Sequence, residues 1–231
     1  MSETQSVLVV NAGSSSLKVK LLPQNFSLLV ERIGGESKVK ASFTTLENAP
    51  IKNHDEALRV CLETLSSQLE LSEIRLVTHR VVHGGERYTE PVILDEKIIA
   101  EIADLSNLAP LHKPANLEGI RAASVLLPHA THVAVFDTAF HATLPAKAFL
   151  YGLPRHLYEQ GIRKYGFHGS SHDYVTRKAA EVLGKPREEL KIVSLHLGNG
   201  ASAAAVCAGQ SVDTTMGLTP LDGLLMGTRS G

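Results

Sequence analysis

Asn11, Gly13, Ser14, Ser15, Ser16 and Lys18 crowd into one short stretch near the start of this 231-residue chain, and their types suit an anion cradle. Small residues let backbone N–H groups and hydroxyls approach a phosphate, Asn11 adds an amide oxygen, and Lys18 adds positive charge. The spacing is not the G-x-x-x-x-G-K-[ST] of a Walker A loop. Leu17, Val19 and Leu21 alternate with Lys18 and Lys20, a period of two that predicts a second strand where a Walker loop leads into a helix. The plainer alternative is an ordinary Ser/Gly turn.

Other residues could share that chemistry. Asp137 follows the apolar run Val133-Ala134-Val135-Phe136, at the carboxyl end of an expected strand, where open α/β sheets place functional groups. It could orient or deprotonate a nucleophile; it could equally be a turn aspartate. Arg80 ends another apolar run before Gly84-Gly85, and its fork of donors suits a carboxylate or phosphate, unless it merely braces the strand. Arg229, among small residues, could neutralise a transferring phosphoryl group. His79/His83 and His168/His172 share H-x-x-x-H spacing. Zinc is the weaker reading, because neither pair is H-E-x-x-H, both adjoin glycine turns and no third ligand is evident. Hydrogen bonding is the expected role, and His112 and His168, flanked by Pro or Gly, suit donation toward phosphate oxygens.

These residues need elements to hold them. Residues 7–22 read as strand, polar turn and strand, and residues 26–33 and 38–43 as two further strands separated by Gly34-Gly35. From Asn53 the apolar spacing turns helical through Ala57, Leu58, Cys61, Leu62 and Leu65, with Asn53 and Glu56 spaced as a capping box. Residues 74–82 return to strand character, 96–105 and 116–127 read as helices, and 132–136 as a short strand. Residues 192–195 form another strand, 196–200 a Gly-rich turn and 201–207 a strand of small residues. The order of elements indicates a mixed α/β chain. Two strand–turn–strand units suggest a duplicated design, with a domain boundary near Pro145, Gly152 and Pro154 and domains of 1–149 and 150–231.

Composition bounds the function classes. A 43% hydrophobic, 20% charged chain is ordinary for a globular protein. Its net charge of −1 gives no bulk attraction to nucleic acid or to an anionic membrane, so any anion must be bound locally. No run of eighteen apolar residues argues for a membrane span. Cys61 and Cys207 are isolated, and the first residues carry no apolar signal core, so a reducing cytoplasm is expected.

Seven blocks in order resemble the acetokinase family of the sugar kinase/Hsp70/actin superfamily: Asn11 to Lys18, His79 to Gly85, Ala109 to His112, Phe136 to His141, Arg163 to Gly169, His196 to Gly200 and Met226 to Arg229. The resemblance covers essentially the whole chain. It implies an actin-like, ribonuclease H-like fold of duplicated domains, with a mixed sheet and flanking helices. It also implies reversible phosphoryl transfer from ATP to acetate, giving acetyl phosphate and ADP, with Mg²⁺ or Mn²⁺ and a homodimer. By position, Asn11 would serve the metal, and Lys18, Ser14, Ser16 and the loop His196, Leu197, Gly198, Asn199 and Gly200 the ATP phosphates. Arg80 would bind the acetate end, supported by His112. Asp137 is the family's proton donor/acceptor, although ionised acetate needs no base, and His168 and Arg229 would stabilise the transferring group. Propionate or butyrate kinases of the same family, or a non-catalytic nucleotide-binding module, are the alternatives. Family members continue further, with adenosine-binding segments, an acidic metal residue and a final helix, so an incomplete second domain with uncovered apolar sheet is expected.

Overall fold

The computed structural model describes residues 6–44, 50–105 and 113–231. They divide into two compact units: the described residues up to Val81 with Pro91–Val135, and Val82–Glu90 with Phe136–Gly231. The expected boundary at 149/150 lies inside the second of these.

The first unit is built on a mixed sheet. Strand β1 (Ser6–Gly13) pairs antiparallel with β2 (Ser16–Leu22), which continues into β3 (Phe26–Glu31) and β4 (Lys38–Ala41). On its other side β1 runs parallel to β5 (Ile74–Val81). With β6 (Val92–Ile93) and β7 (Thr131–Phe136), the strand order is β4-β3-β2-β1-β5-β7-β6. Alternation sets the two faces. Leu8, Val10 and Ala12 of β1 and Leu17, Val19 and Leu21 of β2 are buried, while Lys18 and Lys20 stand exposed. The two-residue side-chain period of a strand dictates this outcome.

Helices α1 (His54–Leu65), α2 (Glu96–Asp104) and α3 (Lys113–Leu126) accompany this sheet. Ala57, Leu58, Cys61, Leu62 and Leu65 of α1 join the strand side chains in one core, to which Ala122, Ala123 and Leu127 contribute from α3 and its end. Burying each of the larger aliphatic chains contributes about 1.5–3 kcal/mol. Only half of the expected capping box forms. Asn53 Oδ1 accepts from Glu56 N at 2.9 Å, but the Glu56 carboxylate takes the N–H of Lys52, at 2.6 Å, in place of that of Asn53.

The second unit carries short helices α4 (Ala146–Phe149) and α5 (Arg155–Glu159), the long helix α6 (Gly169–Leu183), and a sheet of order β10-β9-β8. Its strands are β8 (Lys191–Leu197), β9 (Ala201–Cys207) and β10 (Gln210–Thr214), all antiparallel. The β8 strand is longer than expected and includes His196 and Leu197, so the connecting loop shrinks to residues 198–200. Helix α6 has no counterpart among the elements expected from sequence. On the edge strand β8, Val193, Leu195 and Leu197 are exposed, a row of apolar side chains on one face. Among the described residues no helix is long and apolar enough to cross a membrane.

The carboxyl end of β1 is propped from below. Gly13 O accepts from buried His54 Nε2 at 2.7 Å, and Ala12 O accepts from Asn116 Nδ2 at 2.7 Å. The His54→Ala variant leaves the Gly13 carbonyl without this donor and should lose about 1–3 kcal/mol of stability, read as a lower urea midpoint with an unchanged m-value. An unshifted midpoint would show that water replaces the imidazole without cost.

Candidate functional site

In the first unit, three of the expected site residues meet at the end of β1. Asn11 and Lys18 face each other in the β1–β2 register. Val10 pairs with His79 on the parallel side, which brings Arg80 beside Asn11, and Arg80 Nη1 donates to Asn11 Oδ1 at 3.1 Å. The chain reverses in a two-residue turn at Ser14 and Ser15, since Gly13 and Ser16 are paired. A methyl on Gly13 would lie 2.9 Å from Ser16 Oγ, so a larger residue there would turn that hydroxyl aside. Ser14 is exposed, Ser16 half-buried and Lys18 exposed, so the hairpin tip presents hydroxyls and an ammonium to solvent.

His79 does not face its H-x-x-x-H neighbour. It stacks on His132, with ring centroids 5.4 Å apart, and its Nε2 lies 3.1 Å from His132 Nδ1. The Leu127 carbonyl, 3.1 Å from His132 Nε2, can only accept, so that nitrogen carries the proton. Burial, helped by the neighbouring His132, pushes His79 down to about 3.

In the second unit the site is assembled around Asp137 and the start of α6. Asp137 is buried just past Phe136, and its backbone carbonyl accepts from Gly169 N at 2.8 Å. A methyl at Gly169 would collide with that carbonyl and with Phe140, so only glycine can open the helix this close to the strand. The preceding residue, His168, adopts φ 58° as the N-cap of α6, a left-handed conformation that L-residues seldom take. That turn places its ring against His196 of β8, with centroids 3.9 Å apart and planes 22° from parallel.

Serine hydroxyls tie the rings together. His168 Nδ1 lies 2.9 Å from Ser202 Oγ, and the same hydroxyl is 2.8 Å from His172 Nε2. His172 Nδ1 lies 3.0 Å from Ser194 Oγ, and His196 Nδ1 2.9 Å from Ser171 Oγ. His141 bridges Ser211 Oγ at 2.7 Å and the Phe167 carbonyl at 3.0 Å. Burial, despite the Phe167 carbonyl, pushes His141 down to about 4. For His172, burial first and then the rings of His141, His168 and His196 lower the value to about 4.

Gly200, in the loop after β8, lies close to both His168 and Arg229. A methyl on Gly200 would lie 3.0 Å from Arg229 Nη2 and 3.5 Å from His168 Nε2, so the missing side chain lets the loop backbone approach both nitrogen groups closely. Arg229 is anchored by Nε donating to Pro220 O at 2.7 Å and Nη1 donating to Thr228 Oγ1 at 2.9 Å. Gly227 lies against Asn199. The structure thus brings His168, His196, the loop 198–200 and Arg229 together, with Asp137 holding the start of α6. His112 lies outside the described residues. Sequence reasoning missed Ser194 and Ser202, which stand in strands with no polar pattern; His172 carried only its spacing to His168 as a signal.

Among the described residues no group of three or more His, Cys, Asp or Glu stands close enough to hold a metal ion, and Asn11 Oδ1 is engaged by Arg80. Magnesium commonly keeps water and substrate phosphate as ligands beside one or two carboxylates.

The depressed values of His79, His141 and His172 set a pH dependence. An unfolded imidazole titrates near 6.5, so the unfolded chain binds protons that the folded chain refuses, and stability falls as pH drops from about 6.5 toward 4. Each ring removes up to ~1.4 kcal/mol per pH unit in that window. Urea midpoints measured between about pH 7 and pH 4.5 should decline steadily; a flat profile would mean that these rings ionise as readily folded as unfolded.

The sequence model of the Acetokinase family matches residues 6–231. An acetate kinase of Carboxydothermus hydrogenoformans is 51% identical over 97% of this chain and 61% of its own length. One of Thermotoga maritima is also 51% identical, over 97% and 60%. Among solved structures, Porphyromonas gingivalis acetate kinase superposes with a TM-score of 0.88 at 40% identity, covering 99% of this chain and 61% of that one. A propionate kinase from Francisella tularensis gives 0.91 at 39%, with the same coverage. The chain spans about three fifths of the length of the curated relatives it matches.

Proposed function

This chain belongs to the acetokinase family and shares the mixed α/β fold of its solved members, and from that premise we propose that it serves transfer of a phosphoryl group between ATP and acetate, giving ADP and acetyl phosphate. The approach of Arg229 Nη2 and His168 Nε2 to Gly200 carries the reading. Phosphoryl transfer asks for positioning and for donors aimed at the equatorial oxygens as charge spreads over them. A guanidinium and an imidazole close to the same glycine supply such donors.

The remaining residues follow the same logic. In the first unit the β1–β2 hairpin, with Ser14, Ser16 and Lys18, and in the second unit the loop from His196 to Gly200 each present groups suited to nucleotide phosphates. Arg80, oriented by Asn11, binds the carboxylate of acetate. One acetate oxygen forms the new P–O bond while the bond to the β-phosphate oxygen breaks. Acetate is already ionised at neutral pH, so Asp137 orients the site and need not take a proton. The setting inferred is a cytoplasmic homodimer using Mg²⁺ and ATP; the cysteines that the structure leaves as thiols, Cys61 and Cys207, suit a reducing compartment. Propionate is the second reading, favoured by the 0.91 TM-score to a propionate kinase.

Trapping acetyl phosphate as its hydroxamate from ATP and acetate tests the reaction, and kcat/KM for acetate, propionate and butyrate ranks the substrates. Nucleotide binding with no hydroxamate from any of the three acids would favour a non-catalytic module. Arg229→Ala should lower kcat by roughly 10³-fold or more, and a near-normal rate would remove it from the phosphoryl site. Arg80→Ala should chiefly raise KM for acetate; an unchanged KM would reduce Arg80 to a brace for Asn11.

A further inference from the structure

The hydroxyls beneath His168 have few partners to choose from. Ser194 and Ser202 are buried. Among the described residues, the Ser194 hydroxyl has one side-chain partner, His172 Nδ1, and the Ser202 hydroxyl lies between His172 Nε2 and His168 Nδ1. A buried hydroxyl that donates to nothing is unfavourable, so Ser194 donates to His172 Nδ1. A neutral imidazole that accepts on Nδ1 carries its proton on Nε2, and His172 Nε2 therefore donates to Ser202. The Ser202 hydrogen is left to point at His168 Nδ1.

From this order we infer that His172 is a positioning residue, acting through Ser202 to hold His168 with its proton on Nε2, the nitrogen beside Gly200 and Arg229. His172 stays neutral in the folded chain because burial and the surrounding rings disfavour its charge, as the order requires. The reverse order would leave the Ser194 hydrogen without an acceptor. It would also leave a lone pair on the Nε2 of His168 beside Gly200, where phosphoryl oxygens would be repelled. The inference deepens the proposed function by fixing which nitrogen of His168 donates, and that consequence rests on the phosphoryl reading; the proton order itself does not.

Long-range ¹H–¹⁵N spectra of the full chain carrying ¹⁵N-histidine, at neutral pH and without substrates, read the proton position directly. His168 and His172 should each show a protonated Nε2 and an unprotonated Nδ1. A proton on Nδ1 of either ring, or an imidazolium at His168, would overturn the inference. Ser202→Ala and His172→Phe should each convert His168 into a mixture of its two neutral tautomers, whereas Ser202→Thr, which keeps the hydroxyl, should retain the single form. A His168 spectrum unchanged by Ser202→Ala would also overturn it. The wild-type spectrum needs no variant to fold, and it involves no turnover. A chain with the expected tautomers and no acetyl phosphate would sink only the functional reading, and the opposite result only the relay.

Discussion

The hydrogen bond from Gly169 N to the Asp137 carbonyl is the point on which the second unit's site turns. It ties Asp137 to the first turn of α6 at a separation that admits no side chain on residue 169. Everything nearby inherits its place from that junction. His168 must bend into the left-handed region to enter the helix, which throws its ring onto His196. Ser171 and His172, in the first turn, then reach His196 and Ser202 respectively.

The seam between α6 and its sheet consequently differs from an ordinary helix–sheet interface. The buried positions of α6 are Gly169, His172, Thr176 and Ala180, and the sheet answers with Ser194 and Ser202. Polar groups face inward while Val193, Leu195 and Leu197 point out. A polar seam is costly unless every donor and acceptor is used, but when it is complete it admits one arrangement of its rings. That exchange of apolar adhesion for fixed proton positions suits a place where ring orientation matters more than adhesion.

The legible parts of the chain were those where apolar periodicity and burial coincide. The β1–β2 hairpin, β5, β7 and α1 announced themselves because Leu8, Val10, Leu17 and Val19, or Ala57, Leu58, Cys61 and Leu65, repeat with the period of their element. Helix α6 gave no such signal, since its buried stripe is made of Gly, His, Thr and Ala. The two residues of β6 were too few to show a period. For the site, Arg229, His168 and Gly200 were found through their resemblance to a family; as isolated residues they are a loop arginine, a histidine and a glycine. Ser202 was invisible for a different reason. Its neighbours Ala201, Ala203 and Ala204 make the strand look featureless, and only its two imidazole partners show what the hydroxyl does.

The chain passes from one unit to the other between Val81 and Val82, returns between Glu90 and Pro91, and leaves again between Val135 and Phe136. Neither unit is therefore one unbroken stretch of sequence. During synthesis, β1 to β5 and α1 are complete once residue 81 has left the ribosome, and their mostly short-range pairings form early. The core they share with Ala122, Ala123 and Leu127 stays open until the chain has made its excursion through residues 82–90 and come back. Those nine residues, consigned to the second unit before the rest of it exists, precede its remaining residues by more than forty positions. The order of translation thus makes the nascent chain hold an unfinished hydrophobic face in the open for a defined interval, the interval in which a chaperone would find it.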